Sequence, residues 1–203
     1  MRRREFITLI GGATVWPLAA RAQQATMPVI GFLGGADAIG YAQLIEALRS
    51  GLRDYGYIEG RTIEIEYRWA QGRYEHLPAL AAELVRRKVD IIITQGTPAA
   101  IAAKHATIKI PIVMAIVGNP VETGIVKSYS RPGGNITGSS FFFPEINAKR
   151  LERLKDMIPS LKRAGVLMNP DNPAMTSVLH AMDETAKAMN VRLQQTPIRR
   201  LDE

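Results

Sequence analysis

Hydrophobic positions change period along this chain in a regular order. Val29 to Leu33 is an uninterrupted apolar run closed by Gly34-Gly35, the pattern of a buried strand running into a loop. Over residues 40–55, Leu44, Leu48, Leu52 and Tyr55 are expected on one inward helical face, with Gly56 as the C-terminal stop. From Thr62 to Trp69 the period drops to two. Ile63, Ile65, Tyr67 and Trp69 then share one side and Glu64, Glu66 and Arg68 the other, which predicts a half-exposed strand. Helical spacing returns with Leu77, Leu80, Ala81, Leu84 and Val85. Val89 to Thr94 carries three consecutive isoleucines, so this strand is expected to be covered on both faces, as in a parallel sheet. Thr97-Pro98 reads as an N-cap followed by a first-turn proline for a helix over 98–105. Pro111 to Ile116 is another buried strand, and Gly118-Asn119-Pro120 turns the chain.

The turn-rich stretch Arg131-Pro132-Gly133-Gly134-Asn135 has no room for helix. Beyond it, Ile136 to Phe143 is expected to be extended, followed by a helix with Ile146, Leu151, Leu154 and Ile158 facing inward and Pro159 ending it. A second series starts with a strand at Ala164 to Met168, a helix from about Pro173 to Met189 and a strand at Val191 to Gln195. The repeated strand–helix alternation predicts an α/β fold in two lobes, a first over 28–143 and a partial second over 144–203.

The first 22 residues do not belong to this pattern. Arg2, Arg3 and Arg4 precede an uncharged stretch from Ile7 to Ala20, and Ala20-Arg21-Ala22 supplies a small-x-small cleavage site. The stretch contains Gly11, Gly12 and Pro17 and is shorter than the roughly 20 apolar residues that span a bilayer. Arg3-Arg4-Glu5-Phe6-Ile7 resembles the twin-arginine export signature. The expectation is a twin-arginine-type signal peptide over 1–22, cut after Ala22, and a periplasmic mature chain beginning at Gln23.

Composition changes the picture little. Of 203 residues, 46% are hydrophobic and 22% charged, which fits a globular domain. Removing residues 1–22 reduces the net charge of +7 to 22 basic against 18 acidic residues, or +4. The clusters Arg86-Arg87-Lys88, Lys149-Arg150 and Arg199-Arg200 lack interleaved aromatics and read as solvated helix faces, so no nucleic-acid partner is expected. Cysteine is absent, which excludes disulfides, thiolate metal sites and a cysteine nucleophile. His76, His105 and His180 fall in predicted helices without a metal-ligand partner at helical spacing. Gly138-Ser139-Ser140 lacks the second glycine of a nucleophile elbow, and Gly31-Phe32-Leu33-Gly34 lacks dinucleotide-site spacing. Neither catalysis nor a cofactor is expected.

In open parallel sheets, ligands bind beyond the C-terminal strand ends, where loops and helix N-termini present free N–H groups. Four short polar loops meet this rule: Gly34-Gly35-Ala36-Asp37, Gln95-Gly96-Thr97, Val117-Gly118-Asn119 and Asn169-Pro170-Asp171. Each could equally be only the turn that a strand–helix unit needs. The candidate binding residues are Gly34, Gly35, Ala36, Gln95, Gly96, Thr97, Asn119 and Asn169.

Gly56-Tyr57-Ile58-Glu59-Gly60-Arg61 and Ile65-Glu66-Tyr67-Arg68-Trp69-Ala70 resemble the ABC transporter substrate-binding family that includes tryptophan and tyrosine binders. So, in the same order, do Thr97-Pro98-Ala99-Ala100, Ile110-Pro111-Ile112-Val113, Pro132-Gly133-Gly134-Asn135-Ile136-Thr137-Gly138 and Lys149-Arg150-Leu151. The resemblance implies a type I periplasmic-binding fold, two Rossmann-like lobes with a small polar or aromatic solute in the cleft between them. It also implies partners, a membrane permease served by a separate ATPase subunit. Where the family often has Gly-Asp-Pro, this chain has Gly118-Asn119-Pro120, a neutral amide in place of a carboxylate. Family members continue beyond these elements and return to the first lobe, so the second lobe is expected to be incomplete and solute binding poor. Two other readings stay open, an exported ligand-sensing domain of the same fold and an exported α/β enzyme.

Overall fold

The computed structural model describes residues 27–199, so the expected signal peptide and its cleavage site lie outside the described residues. Five strands, β1 (Val29–Gly34), β2 (Glu64–Trp69), β3 (Ile91–Gln95), β4 (Ile112–Gly118) and β5 (Ile136–Phe141), form one parallel sheet in the order β2-β1-β3-β4-β5. Helix α1 (Ala42–Asp54) connects β1 to β2, α2 (Leu77–Arg86) connects β2 to β3, and α3 (Thr97–Ala106) connects β3 to β4. β1 pairs with both β2 and β3, so the sheet reverses its winding between β1 and β3.

Both faces are covered, as the isoleucine run requires. Ile92 packs with Leu33, Ile112 and Met114 under α2 and α3, where Leu77, Ala81, Leu84 and four alanines of α3 are buried. Ile93 faces the other way, with Ile30, Phe32 and Ile65 against α1. Each fully buried aliphatic side chain of this kind stabilises by about 1.5–3 kcal/mol relative to exposure.

A separate parallel pair, β6 (Arg163–Met168) and β7 (Arg192–Pro197), carries α4 (Phe143–Met157) and α5 (Met175–Ala188). Leu151, Ala186 and Val191 form its small core, with Ala164, Met182 and Leu193 around them. The architecture is therefore α/β with two parallel sheets, as the alternation predicted.

Four local expectations are corrected. The inward face of α1 is Ile45, Leu48 and Leu52 rather than Leu44 and Tyr55. Leu44 lies one position off that stripe, and Tyr55 sits past the helix end and is 83% exposed. In α4 only Leu151 of the four expected residues is buried, while Ile146, Leu154 and Ile158 stay largely open because α5 covers one side of the helix only. Thr97 is the first residue of α3 and not its cap; Gly96, at φ +89°, occupies the cap position. The Thr97 hydroxyl points instead to Gly118, accepting its N–H at 3.1 Å. His76 falls in a 3-10 turn (Tyr74–His76) ahead of α2 rather than in the helix.

Candidate functional site

A cavity of about 560 Å³ opens at the C-terminal ends of the strands, with walls from both sheets. On the first sheet's side, Gly35, Ala36 and Asp37 follow β1, Gln71 and Gly72 follow β2, and Gln95, Gly96 and Thr97 end β3 and open α3. Ile116 and Gly118 come from β4, and Phe141 from β5. The opposite wall consists of Phe143 at the start of α4, Asn169, Asn172, Ala174 and Met175 between β6 and α5, and Ile198 and Arg199 after β7. Gly35 and Gln95 flank the point where the winding reverses, the place at which open α/β sheets leave a crevice.

Local hydrogen bonds fix how the polar groups face. Gln95 Nε2 donates to the Tyr41 hydroxyl at 2.7 Å, which leaves the Gln95 carbonyl oxygen and the tyrosine proton for other partners. Asn169 accepts the Asp171 N–H at 2.9 Å and donates to the Arg199 carbonyl at 3.3 Å. Asn172 accepts the Ala174 N–H at 3.1 Å, so its NH₂ group is unspent there. Arg199 Nε reaches Asp171 at 3.1 Å, joining the β7 end to the β6 loop. At the start of α3 the first-turn N–H groups have no carbonyl partner within the helix, and Gly96 and Thr97 bring that end to the cavity.

Aromatic rings supply much of the remaining wall. Tyr41, Tyr74, Phe141 and Phe143 all line it. The last two stand 5.8 Å apart at an interplanar angle of 60°, a tilted pair within aromatic contact range. Gly35 permits Tyr74 to lie close, since a Cβ there would meet the tyrosine ring at 3.3 Å. Burial pushes the Tyr74 hydroxyl above the ordinary tyrosine range, and the neighbouring Tyr41 and Asp171 add to it.

Among the described residues, no group of three or more His, Cys, Asp or Glu is placed to hold a metal ion. No helix there is long and apolar enough to cross a membrane. The model of a family described as "ABC transporter substrate binding protein" matches residues 40–203. The chain belongs to the ABC transporter substrate-binding family. That family is one of solute-binding proteins rather than enzymes.

A tyrosine-binding protein of Clostridioides difficile is 34% identical over 169 residues, covering 79% of this chain and 48% of that protein. A conserved domain protein of Vibrio cholerae shares the structure with a TM-score of 0.79 at 28% identity, over 86% of this chain and 58% of that one. An L-Trp complex of a streptococcal ABC domain matches in fold, at a TM-score of 0.77 and 22% identity, over 86% of this chain and 58% of that one. The chain thus spans about half the length of the relatives it matches.

In this substrate-binding chain, six of the eight candidate residues come together at the cavity: Gly35, Ala36, Gln95, Gly96, Thr97 and Asn169. Gly34 does not join them. It ends β1 beneath Trp69, whose ring atoms would lie 2.4 Å from any Cβ, so it serves strand packing. Asn119 is also elsewhere. At φ +38° its side chain is engaged with Glu122 and with the Tyr129 hydroxyl, in the turn after β4. Gly118 takes its place at the cavity, with Ala174 and Phe143 against its Cα. Reading strand-end loops alone missed Tyr41, Leu44, Tyr74, Phe141, Phe143 and Arg199. Leu44 had a usable signal, an apolar residue one step off the buried stripe of α1.

Proposed function

We propose that this chain is the extracytoplasmic solute-binding component of an ABC-type uptake transporter, holding a small polar or aromatic solute in the interlobe cavity. The observation that carries the reading is the composition of that cavity. Oriented amides at Gln95, Asn169 and Asn172, the N-terminal turn of α3 and four aromatic rings enclose about 560 Å³, which suits one small ring-bearing molecule with a polar end. The tyrosine-binding relative and the L-Trp complex support an aromatic amino acid, and a more distant structure of the same fold holds 3,4-dihydroxybenzoic acid. Delivery to a membrane permease with a separate ATPase subunit, and export through the signal peptide of residues 1–22 cut after Ala22, belong to the same proposal.

Titrating the full chain with L-tyrosine, L-tryptophan and 3,4-dihydroxybenzoate while following thermal unfolding tests it. A ligand at a hundred times its dissociation constant stabilises by about 2.7 kcal/mol, a shift of roughly 5–10 °C for a chain of this size. Gln95→Ala is expected to reduce the shift. If none of the three compounds moves the midpoint, either of this chain or of a form extended to the length of its relatives, the aromatic reading fails. For the export step, replacing Arg3 and Arg4 by lysine is expected to stop periplasmic accumulation, and normal accumulation would count against the twin-arginine route.

A further inference from the structure

We propose that the end of the β6–β7 unit remote from the cavity is a docking surface for the headgroups of acidic phospholipids. Lys162, Arg163, Lys187 and Arg192 line one concave surface of about 520 Å³ there, with Asn190 and Val191 between them. Arg163 and Arg192 are register partners in adjacent parallel strands, so their backbones lie about 4.8 Å apart and both side chains line the same surface. Like charges so placed repel, and an anion laid across them removes the penalty.

The described residues do not supply that anion. Among the described residues, none of the four cations makes an ion pair or a side-chain hydrogen bond. Asp156 pairs with Arg153 at 3.2 Å, and Glu184 lies 3.8 Å from His180 on the same helix. Asp183, one turn back along α5, forms no ion pair with Lys187.

Two further features favour a membrane surface over a free anion. The cations are spread along an edge instead of converging on a point, which fits several headgroups better than one phosphate. Apolar side chains are exposed a few residues before Lys162 in the chain. Met157 is 79% exposed and Ile158 44%, and Lys155 ties that end of α4 to the β6 approach by donating to the carbonyls of Pro159 and Leu161. Ile158 and Lys162 are four positions apart in sequence, a reach of at most about 14 Å. Cations beside exposed apolar groups are the pattern of surfaces that rest on anionic bilayers. A binding protein working at the outer side of a membrane would gain a two-dimensional search for its permease. The surface itself is independent of what the cavity holds.

Co-sedimentation of the full chain with vesicles of phosphatidylglycerol mixed with phosphatidylcholine, against vesicles of phosphatidylcholine alone, is the test. Binding is expected to the mixed vesicles only, weakening as salt screens the charges. Arg163→Gln with Arg192→Gln should weaken it by roughly 25-fold, about fivefold for each cation. A first-lobe variant of equal charge, Arg86→Gln with Lys109→Gln, should bind as the parent does and controls for net charge, while parent-like binding by the Arg163/Arg192 variant would place the contact elsewhere, residues 1–22 included, and overturn the proposal. Equal loss in both double variants would overturn the proposal, as would failure to bind the mixed vesicles. So would saturable calorimetric binding of inorganic phosphate that the Arg163/Arg192 variant abolishes while vesicle binding stays unchanged.

Discussion

Thr97→Val removes one hydroxyl that both accepts the Gly118 N–H at 3.1 Å and donates to the Gly118 carbonyl at 3.5 Å, the first being the stronger bond. Thr97 is buried at 3% exposure, and its hydroxyl oxygen accepts the N–H of Gly118 at 3.1 Å, tying the first turn of α3 to the last residue of β4. Valine has the same shape and a similar helix propensity, so neither a cavity nor a propensity change accompanies the substitution. What remains is a buried backbone donor without its acceptor, a cost of about 1–3 kcal/mol. For a chain of 150–250 residues this lowers the melting temperature by about 2–12 °C. Loss of an N-cap is not part of the expected effect, because Gly96 holds that position and makes no side-chain bond. The effect should therefore be local to β4. Thermal melts give the total, and amide hydrogen exchange at Gly118 gives the location, with faster exchange in the valine variant. Thr97→Ser, which keeps the oxygen, should leave Gly118 protected. A valine variant that melts within about 1 °C of the parent, with Gly118 exchange unchanged, refutes the assignment of that hydroxyl.

Gly138→Ala should be severe, because at φ +141° its new Cβ would lie 2.2 Å from the Met114 carbonyl oxygen and 2.6 Å from the Met114 nitrogen, forcing β5 off β4. Strain and overpacking together cost about 2–6 kcal/mol, measured by denaturant unfolding, and a loss below about 1 kcal/mol would contradict the close approach. Above pH 10 the chain should lose stability through Tyr74 and Tyr67, both raised chiefly by burial. The unfolded chain releases these protons near pH 10 while the folded chain still holds them, so stability is unaffected below that pH and falls as pH rises toward the folded values. Tyr74→Phe should flatten the fall in melting temperature between pH 9 and 11, and an unaltered profile would remove Tyr74 from the account.

The strands were legible because each carries its own signal. Three consecutive isoleucines at 91–93 cannot be satisfied by a sheet with one wet face, and the structure covers both. Alternation from Ile63 to Trp69 marked a strand with one polar side, and that side is only partly wet, since Arg68 reaches Glu83 of α2 and the Glu66 side chain is 16% exposed. Helix faces were less legible. A stripe of three leucines suggested Leu44, Leu48 and Leu52, yet the neighbouring Ile45 is the residue that reaches the sheet, since a one-residue rotation of 100° separates burial from the cavity rim. Capping chemistry misled in the same way at Thr97, because a threonine before proline looks like a cap whether its hydroxyl bonds its own helix or, as here, the adjacent strand.

The cavity was legible only in part, and the reason is topological. A rule that looks beyond the C-terminal strand ends finds Gly35, Ala36, Gln95, Gly96, Thr97 and Asn169, which arrive by chain continuity from β1, β3 and β6. Tyr41 and Tyr74 arrive by a longer route, each several residues past its strand, and are held by contacts that no spacing encodes. Tyr41 is fixed by the Gln95 amide, 54 positions away in sequence. Tyr74 is admitted by the bare Cα of Gly35 and has Asp171 close enough to affect its ionisation. Phe141 and Phe143 bracket the passage from β5 to α4, so their rings stand where the chain leaves the first sheet for the second unit. The same two residues contribute to the wall from both sides of that passage, which couples the relative placement of the two sheets to the aromatic lining of the cavity.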